Sequence, residues 1–374
     1  MRIGVNASRL AGQRLGVARY IEYLVKHWAT QVETRDDVVL FLREPLRPGD
    51  PPLPERFGTS VLRPALTRLA WENTVLPRAA RGLDVLFCPS YTAPLAWHGR
   101  YVVAIHSMNE VESGTHPWWY RFTYTPLYSH SATKATRVIL PSQSTLDDIR
   151  DYYGIPEEKL VVVPLGADSS FRPIDEAERL SETRRRYLGE DRPFILFVGK
   201  LSQRRNIPIL ISAFAEAKRR AKLPHSLLLF GPNHLGLPLR ELAEAAGVAD
   251  AVVQDDGVIA SHEELALVYS AADLFVSASS YEGFSLPLVE ALSCGRPSVV
   301  VDTSALAEIA GGASLLVHEP STEALADGIE RALTDDELRR TLSAAALERA
   351  DHFRWEETAR RTLDVLREAA EMAA

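Results

Sequence analysis

Two acidic residues, Glu282 and Glu290, flank a short segment whose residue order favours a turn followed by a helix. The segment 273–277 before them, apolar at its three central residues, indicates a buried parallel strand. Pro287 suits the first turn of a helix, where its missing N–H is not needed. A helix that begins there presents backbone N–H groups to an anion. Those groups belong to Gly283, Phe284, Ser285 and Leu286. A phosphate flanked by hydroxyl-binding carboxylates describes a nucleotide sugar, which is the ligand that this segment predicts.

The segment that contains both glutamates reads Glu-Gly-Phe-x-Leu-Pro-x-x-Glu-Ala-x-x-x-Gly-x-Pro. It resembles the Glu-x7-Glu motif of retaining glycosyltransferases of family 4, which have the GT-B fold, and the resemblance extends from the first strand to about Leu333. The family usually has glycine in place of Ser285, but a serine still offers its N–H and can cap the helix. The resemblance implies that Glu282 contacts hydroxyl groups of the donor sugar. We expect Glu290 to bind the ribose, because a carboxylate among apolar neighbours needs hydrogen-bond donors.

A basic loop follows the apolar strand 194–198 and contains Lys200, Arg204 and Arg205. It resembles the family's diphosphate-binding loop, in which a basic pair precedes asparagine or glycine. Arg205 stands where the family usually has lysine, and its guanidinium can bind a phosphate in a bidentate manner. Departure of the diphosphate builds negative charge, which fixed cations can stabilise without a metal ion. The resemblance therefore implies a catalytic role for both arginines, no metal site, and no cofactor besides the nucleotide-sugar substrate.

Three further residues occupy positions that the family uses for donor binding or catalysis. His106 follows the strand 101–105 and matches a histidine near the transferred sugar, where an imidazole can donate one hydrogen bond and accept another. Gly16 matches the last glycine of the family's glycine loop, although Leu15 replaces the glycine that often precedes it. Val258 lies in a loop whose backbone atoms usually meet the nucleobase, so side chains do not reveal which base is bound.

Apolar strands and helical patterns alternate along the chain in two arrays, which indicates parallel sheets with helices on both faces. The predicted fold class is α/β, GT-B, with two Rossmann-like domains facing a central cleft. Residues 1–170 form the predicted acceptor-side domain and residues 171–354 the predicted nucleotide-sugar domain. The helix at 355–374 is expected to cross back to the first domain, and residues 166–191 to contain the linker. Ligands bind at the carboxyl ends of such strands, and the residues above follow strand ends.

Length, charge and cysteine content exclude several classes of protein. The chain has 374 residues and a net charge of −8, which argues against nucleic-acid binding. No apolar run reaches the roughly 20 residues of a membrane span, and the chain begins with a strand pattern rather than a signal peptide. Cys88 and Cys294 have no metal-ligand spacing, so a reducing cytoplasm is the simplest compartment.

The expected acceptor is a glycan or a lipid-linked molecule, as in family members that build surface polysaccharide or glycolipid. A helical pattern over 66–81 combines apolar residues with Arg68, Arg78 and Arg81, which suits either peripheral contact with the inner face of a membrane or plain packing on the sheet. Two other functions stay open: a GT-B nucleotide-sugar epimerase or phosphorylase, and a non-catalytic nucleotide-sugar binding protein. The joint presence of two glutamates and a basic pair favours transfer. A dinucleotide oxidoreductase is poorly supported, since no Gly-x-Gly-x-x-Gly follows the first strand.

Overall fold

Parallel sheets dominate the structure, a computed structural model that describes residues 1–11, 16–48, 50, 52–108 and 118–372. The chain divides into two units. The first consists of Met1–Leu165 with Trp355–Ala374, and the second of Gly166–Arg354. Each unit has its own sheet, so the predicted α/β class with two Rossmann-like domains is confirmed.

Seven parallel strands of the described residues form the sheet of the first unit: β1 (Arg2–Asn6), β2 (Asp37–Leu42), β3 (Gly58–Val61), β4 (Val85–Cys88), β5 (Tyr101–Ala104), β6 (Arg137–Leu140) and β7 (Leu160–Val162). Their order in the sheet is β3-β2-β1-β4-β5-β6-β7. The helices between them are α1 (Val17–Gln31), α2 (Arg68–Thr74), α3 (Leu76–Ala79), α4 (Trp118–Lys134) and α5 (Gln143–Tyr153). Strands β4 and β5 are buried at every residue, as expected for central strands with both faces covered.

Two parts of the first unit differ from the expectation. The sequence does not predict β3, because most residues of this edge strand are exposed and give no apolar run. The helix expected over 66–81 is two short helices, α2 and α3, since Pro77 has no N–H to continue the ladder of hydrogen bonds. Trp71 of α2 is fully buried. Its ring therefore packs in the core, which supports the packing alternative for this helix over membrane contact.

Six parallel strands of the described residues form the sheet of the second unit: β8 (Phe194–Val198), β9 (Ser226–Phe230), β10 (Val252–Asp255), β11 (Leu274–Ser277), β12 (Ser298–Val301) and β13 (Leu315–Val317). Their order is β10-β9-β8-β11-β12-β13. The helices are α6 (Ala177–Leu188), α7 (Ile207–Ala221), α8 (Leu239–Ala245), α9 (His262–Ala271), α10 (Leu286–Ser293), α11 (Ser304–Ala310), α12 (Thr322–Thr334) and α13 (Asp336–Ala350). Successive strand residues point to opposite faces of the sheet. Phe275 and Val276, for example, belong to two separate apolar clusters, so both faces are covered.

The segment predicted to contain the linker, residues 166–191, is part of the second unit. Phe171, Ile174 and Leu188 are buried in its core, and α6 packs along α9. The linker prediction is therefore wrong. A few widely spaced apolar residues are enough to anchor this segment, and its many charged residues hide them in the sequence.

The C-terminal helix α14 (Trp355–Glu371) packs against α1 in the first unit. The indole of Trp28 donates a hydrogen bond to the carbonyl of Ala359 over 2.8 Å. The ring of Trp355 stacks on Tyr23 with centroids 4.8 Å apart. These contacts make α14 part of the first unit although it follows the second along the chain. Among the described helices, none combines the length and the apolar composition that crossing a bilayer requires.

Candidate active site

The predicted donor-binding residues of the second unit lie in loops at the carboxyl ends of its strands. Lys200, Arg204 and Arg205 follow β8, Val258 follows β10, and residues 282–286 follow β11. Strands β8 and β11 are neighbours in the sheet, so the basic loop and the first glutamate emerge side by side. This edge is where open parallel sheets bind their ligands.

Three glycines hold the loops after β8, β9 and β10 close together. Gly199, Gly231 and Gly257 have φ values of 138°, 151° and 70°, a region that side chains disfavour. A Cβ on Gly231 would overlap the backbone of Gly199, and a Cβ on Gly257 would lie 3.1 Å from the Cα of Gly231. The backbones of the loops after β8, β9 and β10 therefore approach one another closely at this edge of the sheet.

The carboxylate of Glu282 lies between the two predicted catalytic arginines. Its Oε2 is 2.9 Å from Nη1 of Arg204, and its Oε1 is 2.9 Å from Nη1 of Arg205. The glutamate side chain is only 4% exposed, against 18% and 12% for the arginines. Burial lowers the pKa of Arg205, and the Glu282 carboxylate opposes that shift. We call these three side chains the Arg–Glu–Arg group, and their net charge is positive.

Neighbouring loops fix the backbone on both sides of the Glu282 side chain. The N–H of Glu282 donates to Oγ of Ser304 over 2.8 Å, and its carbonyl accepts from the N–H of Ala305 over 3.2 Å. Arg204 also donates to the carbonyl of Tyr281 over 2.6 Å. Ser304 adopts a φ of 43°, which is uncommon for a residue with a side chain. The segment after β12, where α11 begins, thus helps to fix the backbone that carries the Glu282 carboxylate.

Helix α10 begins at Leu286, shortly after Glu282, and the sequence predicts a helix here. Ser285 is its N-cap, and the serine Oγ accepts a hydrogen bond from the N–H of Leu288 over 3.4 Å. Pro287 lies in the first turn. The predicted capping role of Ser285 is therefore confirmed, and the serine that departs from the family's glycine stabilises the start of the helix.

Glu290 lies on the buried face of α10 and is 2% exposed. Its Oε2 accepts a hydrogen bond from the hydroxyl of Tyr269 on α9, at a distance of 2.9 Å. The sequence gives no sign of this partner, because a tyrosine in a buried helical pattern looks like an ordinary core residue. Glu290 is thus a buried carboxylate held by a buried phenol.

The remaining predicted residues of the second unit differ in how exposed they are. Lys200 is exposed, and Val258 is 83% exposed in its loop. The ring of Phe284 meets Phe353 edge to face at 5.9 Å. Gly283 is buried and Leu286 is half-buried. In the described ranges, no group of three or more His, Cys, Asp or Glu side chains could hold a metal ion.

His106 lies after β5 in the first unit, where its Nε2 is 2.9 Å from the carbonyl oxygen of Pro89. The rings of Tyr20 and Tyr91 pack edge to face against it, with centroids at 4.8 and 5.6 Å. Burial lowers the pKa of His106 and the bond to Pro89 opposes that shift. A neutral imidazole that donates from Nε2 to a carbonyl has Nδ1 as its acceptor atom.

Gly16 comes directly before α1, with a φ of 47°. Its carbonyl accepts the N–H of Tyr20. A side chain at this position would be strained, which gives the glycine a conformational reason to be there. The rest of the predicted glycine loop, including Leu15, lies outside the described residues.

Comparison with known proteins identifies the family. The profile for "Glycosyl transferases group 1" matches residues 180–349, and the profile for "Glycosyltransferase Family 4" matches residues 15–171. The chain belongs to the group 1 glycosyltransferases. The two matched regions contain the Arg–Glu–Arg group and His106, respectively.

Individual relatives agree with this family. O-antigen chain mannosyltransferase B of Escherichia coli is 27% identical over 265 residues, which are 70% of this chain and 69% of the relative. A D-inositol 3-phosphate glycosyltransferase of Frankia alni is 34% identical over 251 residues, 64% of this chain and 60% of the relative. The structure of Anabaena Alr3699/HepE in complex with UDP and glucose has a TM-score of 0.76 at 17% identity, covering 98% of this chain and 99% of that one.

These findings decide between the functions that the sequence left open. The two curated relatives transfer sugars, so an epimerase or a non-catalytic binding protein is not favoured for this glycosyltransferase. The likeness to the HepE structure, at its low identity, shows the shared fold alone. For a sugar transferase, the arrangement after β8 and β11 supplies fixed cations and a buried carboxylate side by side.

Proposed function

We propose that this glycosyltransferase moves a sugar from a nucleoside-diphosphate donor to a glycan or lipid-linked acceptor, with retention of configuration and without a metal ion. The observation that carries the proposal is the Arg–Glu–Arg group beside the first turn of α10. It puts two cations, one carboxylate and a helix N-terminus in one place. A departing diphosphate and a reacting sugar need these three elements.

The two arginines stabilise the leaving group. When the bond from the anomeric carbon to the diphosphate breaks, negative charge builds on a phosphate oxygen. Glu282 already holds both Arg204 and Arg205, and the carbonyl of Tyr281 accepts a further hydrogen bond from Arg204. Cations fixed in advance stabilise developing charge without having to reorganise during the reaction. The same fixed charge supports a metal-independent reaction.

The start of α10 provides further donors for the diphosphate. N–H groups in the first turn of a helix have no acceptor within the helix, and the helix dipole adds partial positive charge there. We assign the N–H groups of residues 283–286 to the phosphate oxygens. Lys200, which is exposed at the beginning of the basic loop, is assigned to the outer oxygens of the diphosphate.

Glu282 acts on the transferred sugar. Once the diphosphate takes up part of the guanidinium charge, the carboxylate can accept a sugar hydroxyl in place of an arginine N–H. Its negative charge also stabilises positive charge at the anomeric carbon. The acceptor oxygen attacks from the face of the departing diphosphate, whose oxygen takes the acceptor proton. A bond to the acceptor replaces the bond to phosphate on the same face, so configuration is retained with no protein nucleophile.

The remaining residues bind the rest of the donor. Glu290 is assigned to the ribose, and the loop that contains Gly257 and Val258 to the nucleobase through backbone atoms. We assign His106 to the transferred sugar, with the Nδ1 acceptor of its neutral imidazole as the contacting atom. Gly16 is assigned to the diphosphate or the acceptor. HepE has been described with UDP and glucose, so UDP-glucose leads the donors to test, followed by GDP- and ADP-sugars.

A thermal-shift screen against these donors, followed by an assay for released nucleoside diphosphate, tests the proposal. A ligand that binds only the folded state raises the melting temperature. Arg205→Ala should lower turnover by about 10²-fold or more, as expected for the loss of one charge-stabilising group. Arg240→Ala is the matched control, because Arg240 is 87% exposed on α8. Equal turnover of the Arg205 and Arg240 variants would contradict the assignment of the leaving-group charge.

A further inference from the structure

Tyr269 and Glu290 form a buried pair that links α9 to α10. The tyrosine is 0% exposed and the glutamate 2% exposed, and the phenol oxygen lies 2.9 Å from Oε2. An ionised carboxylate can only accept hydrogen bonds, so the tyrosine hydroxyl must be the donor. The ring is held in turn by Phe171, edge to face at 5.9 Å, and by Phe275 at 6.1 Å. The hydroxyl therefore has a fixed position.

A fixed donor determines how the carboxylate can meet a ligand. The terminal torsion of a glutamate is broad and roughly two-fold, so hydrogen-bond donors determine the plane of its carboxylate. The Tyr269 hydroxyl uses one acceptor position of Oε2 and thereby helps to set the plane of the Glu290 carboxylate. A carboxylate offers about four acceptor positions. Two of the others, one on each oxygen or both on one, match the two neighbouring hydroxyl groups of a ribose.

We propose that Tyr269 is a positioning residue that orients Glu290 for the 2′- and 3′-hydroxyl groups of the nucleotide's ribose. The inference rests on the proposed function, because it presupposes that Glu290 faces the nucleotide. Tyr269 touches neither the donor nor the acceptor in this scheme. We therefore expect loss of its hydroxyl to act through the ribose contacts of Glu290.

The test is a ratio of affinities in Tyr269→Phe, which keeps the ring and removes the hydroxyl. Calorimetry measures binding of a nucleoside diphosphate and of its 2′,3′-dideoxy analogue to the wild type and the variant. The wild type should prefer the ribonucleotide. The variant should bind the ribonucleotide about tenfold more weakly, the size expected for loss of an ordered bond to a charged group. Its affinity for the dideoxy analogue should stay unchanged, so the preference collapses.

Tyr187→Phe is the matched control. Tyr187 of α6 also donates from its hydroxyl to a glutamate of α9, Glu264, over 3.1 Å. This variant should keep the wild-type ratio, which shows that loss of a tyrosine–glutamate bond in this unit does not by itself weaken ribose binding. The inference is overturned if Tyr269→Phe binds the ribonucleotide as tightly as the wild type and keeps the same ratio of affinities for the ribonucleotide and the dideoxy analogue. A wild type that binds no nucleoside diphosphate overturns the proposed function instead.

A second variant keeps the test decisive if Tyr269→Phe folds poorly with a charged carboxylate left beside the phenyl ring. In the double variant with Glu290→Gln, that charge is absent. If the hydroxyl acts through Glu290, the double variant and Glu290→Gln alone should have the same ratio of affinities. A further loss of ribonucleotide binding on adding Tyr269→Phe would mean that the hydroxyl acts independently of Glu290, which contradicts the inference.

Discussion

Glu282→Gln removes one negative charge from the Arg–Glu–Arg group and keeps its shape. In the structure the carboxylate is 4% exposed and lies 2.9 Å from each guanidinium. Glutamine retains one oxygen for one arginine, but its amide nitrogen would face the other. The variant therefore separates the two effects of Glu282, which are to neutralise the arginines before the donor binds and to assist the reacting sugar.

The structure sets the size of both effects. Removing one partner of a buried ion pair costs about 3–5 kcal/mol, and the partial exposure of Arg204 and Arg205 reduces this here to about 2 kcal/mol. For a unit of this size, that corresponds to a fall in Tm of roughly 4–8 °C. Loss of one negative charge beside a phosphate strengthens phosphate binding by about 1.4 kcal/mol after screening, or roughly tenfold. Turnover should fall by about 10²-fold or more if the charge supports the transition state.

The assays are thermal unfolding with and without nucleoside diphosphate, calorimetry, and steady-state kinetics. We expect a lower Tm without ligand, a larger rise in Tm on adding nucleoside diphosphate than in the wild type, and a lower kcat. Effects of opposite sign on kcat and on product affinity are the signature of a charge that acts in the transition state. A variant with wild-type kcat and weaker nucleoside-diphosphate binding would refute the reasoning.

Three further predictions concern other parts of the site. Glu290→Ala should weaken nucleoside-diphosphate binding in calorimetry, and unchanged affinity in a folded variant would remove the ribose role. Gly231→Ala should lower the Tm markedly, because its Cβ overlaps the backbone of Gly199. Gly236→Ala is the control, since Gly236 has a φ of 62° and open space around it, and this variant should cost only the local strain. Equal falls in Tm for the two variants would show that the close approach of the loops is unimportant. Burial depresses the pKa of His106 in the folded state, so its contribution to stability is complete above about pH 6.5 and is lost as the pH falls below that value. His106→Gln should therefore weaken the fall in Tm between pH 7.5 and 5, roughly the range of this titration. An identical dependence of Tm on pH in the variant and the wild type would contradict the buried state of His106.

Much of the fold follows from the sequence because its central strands are continuous apolar runs. The strand predicted at 194–198 matches β8 residue for residue, and those predicted at 101–105 and 273–277 differ from β5 and β11 by one residue each. The elements that the sequence missed lack this signal. Strand β3 is an exposed edge, and α11 is short. Their place in the fold depends on contacts with distant segments, which local patterns do not contain.

The candidate site was predictable in its members but not in its arrangement. The spacing of Glu282, Glu290 and the basic pair indicates which residues gather at the edge of the second sheet. The pairing of Glu282 with both arginines depends on how the segments after β8, β11 and β12 meet. Glu282 illustrates this, since its N–H donates to Ser304 and its carbonyl accepts from Ala305. The bond from Tyr269 to Glu290 likewise joins two helices that are separate in sequence. Such contacts come from tertiary packing alone.

The most direct test of the account is to follow the reaction by NMR with the donor that stabilises the protein most, in the presence and in the absence of EDTA. The account predicts release of nucleoside diphosphate, a product with the same anomeric configuration as the donor, and equal rates with and without the chelator. A product of inverted configuration would contradict retention. Loss of the reaction in EDTA would contradict the claim that Arg204 and Arg205 supply the positive charge.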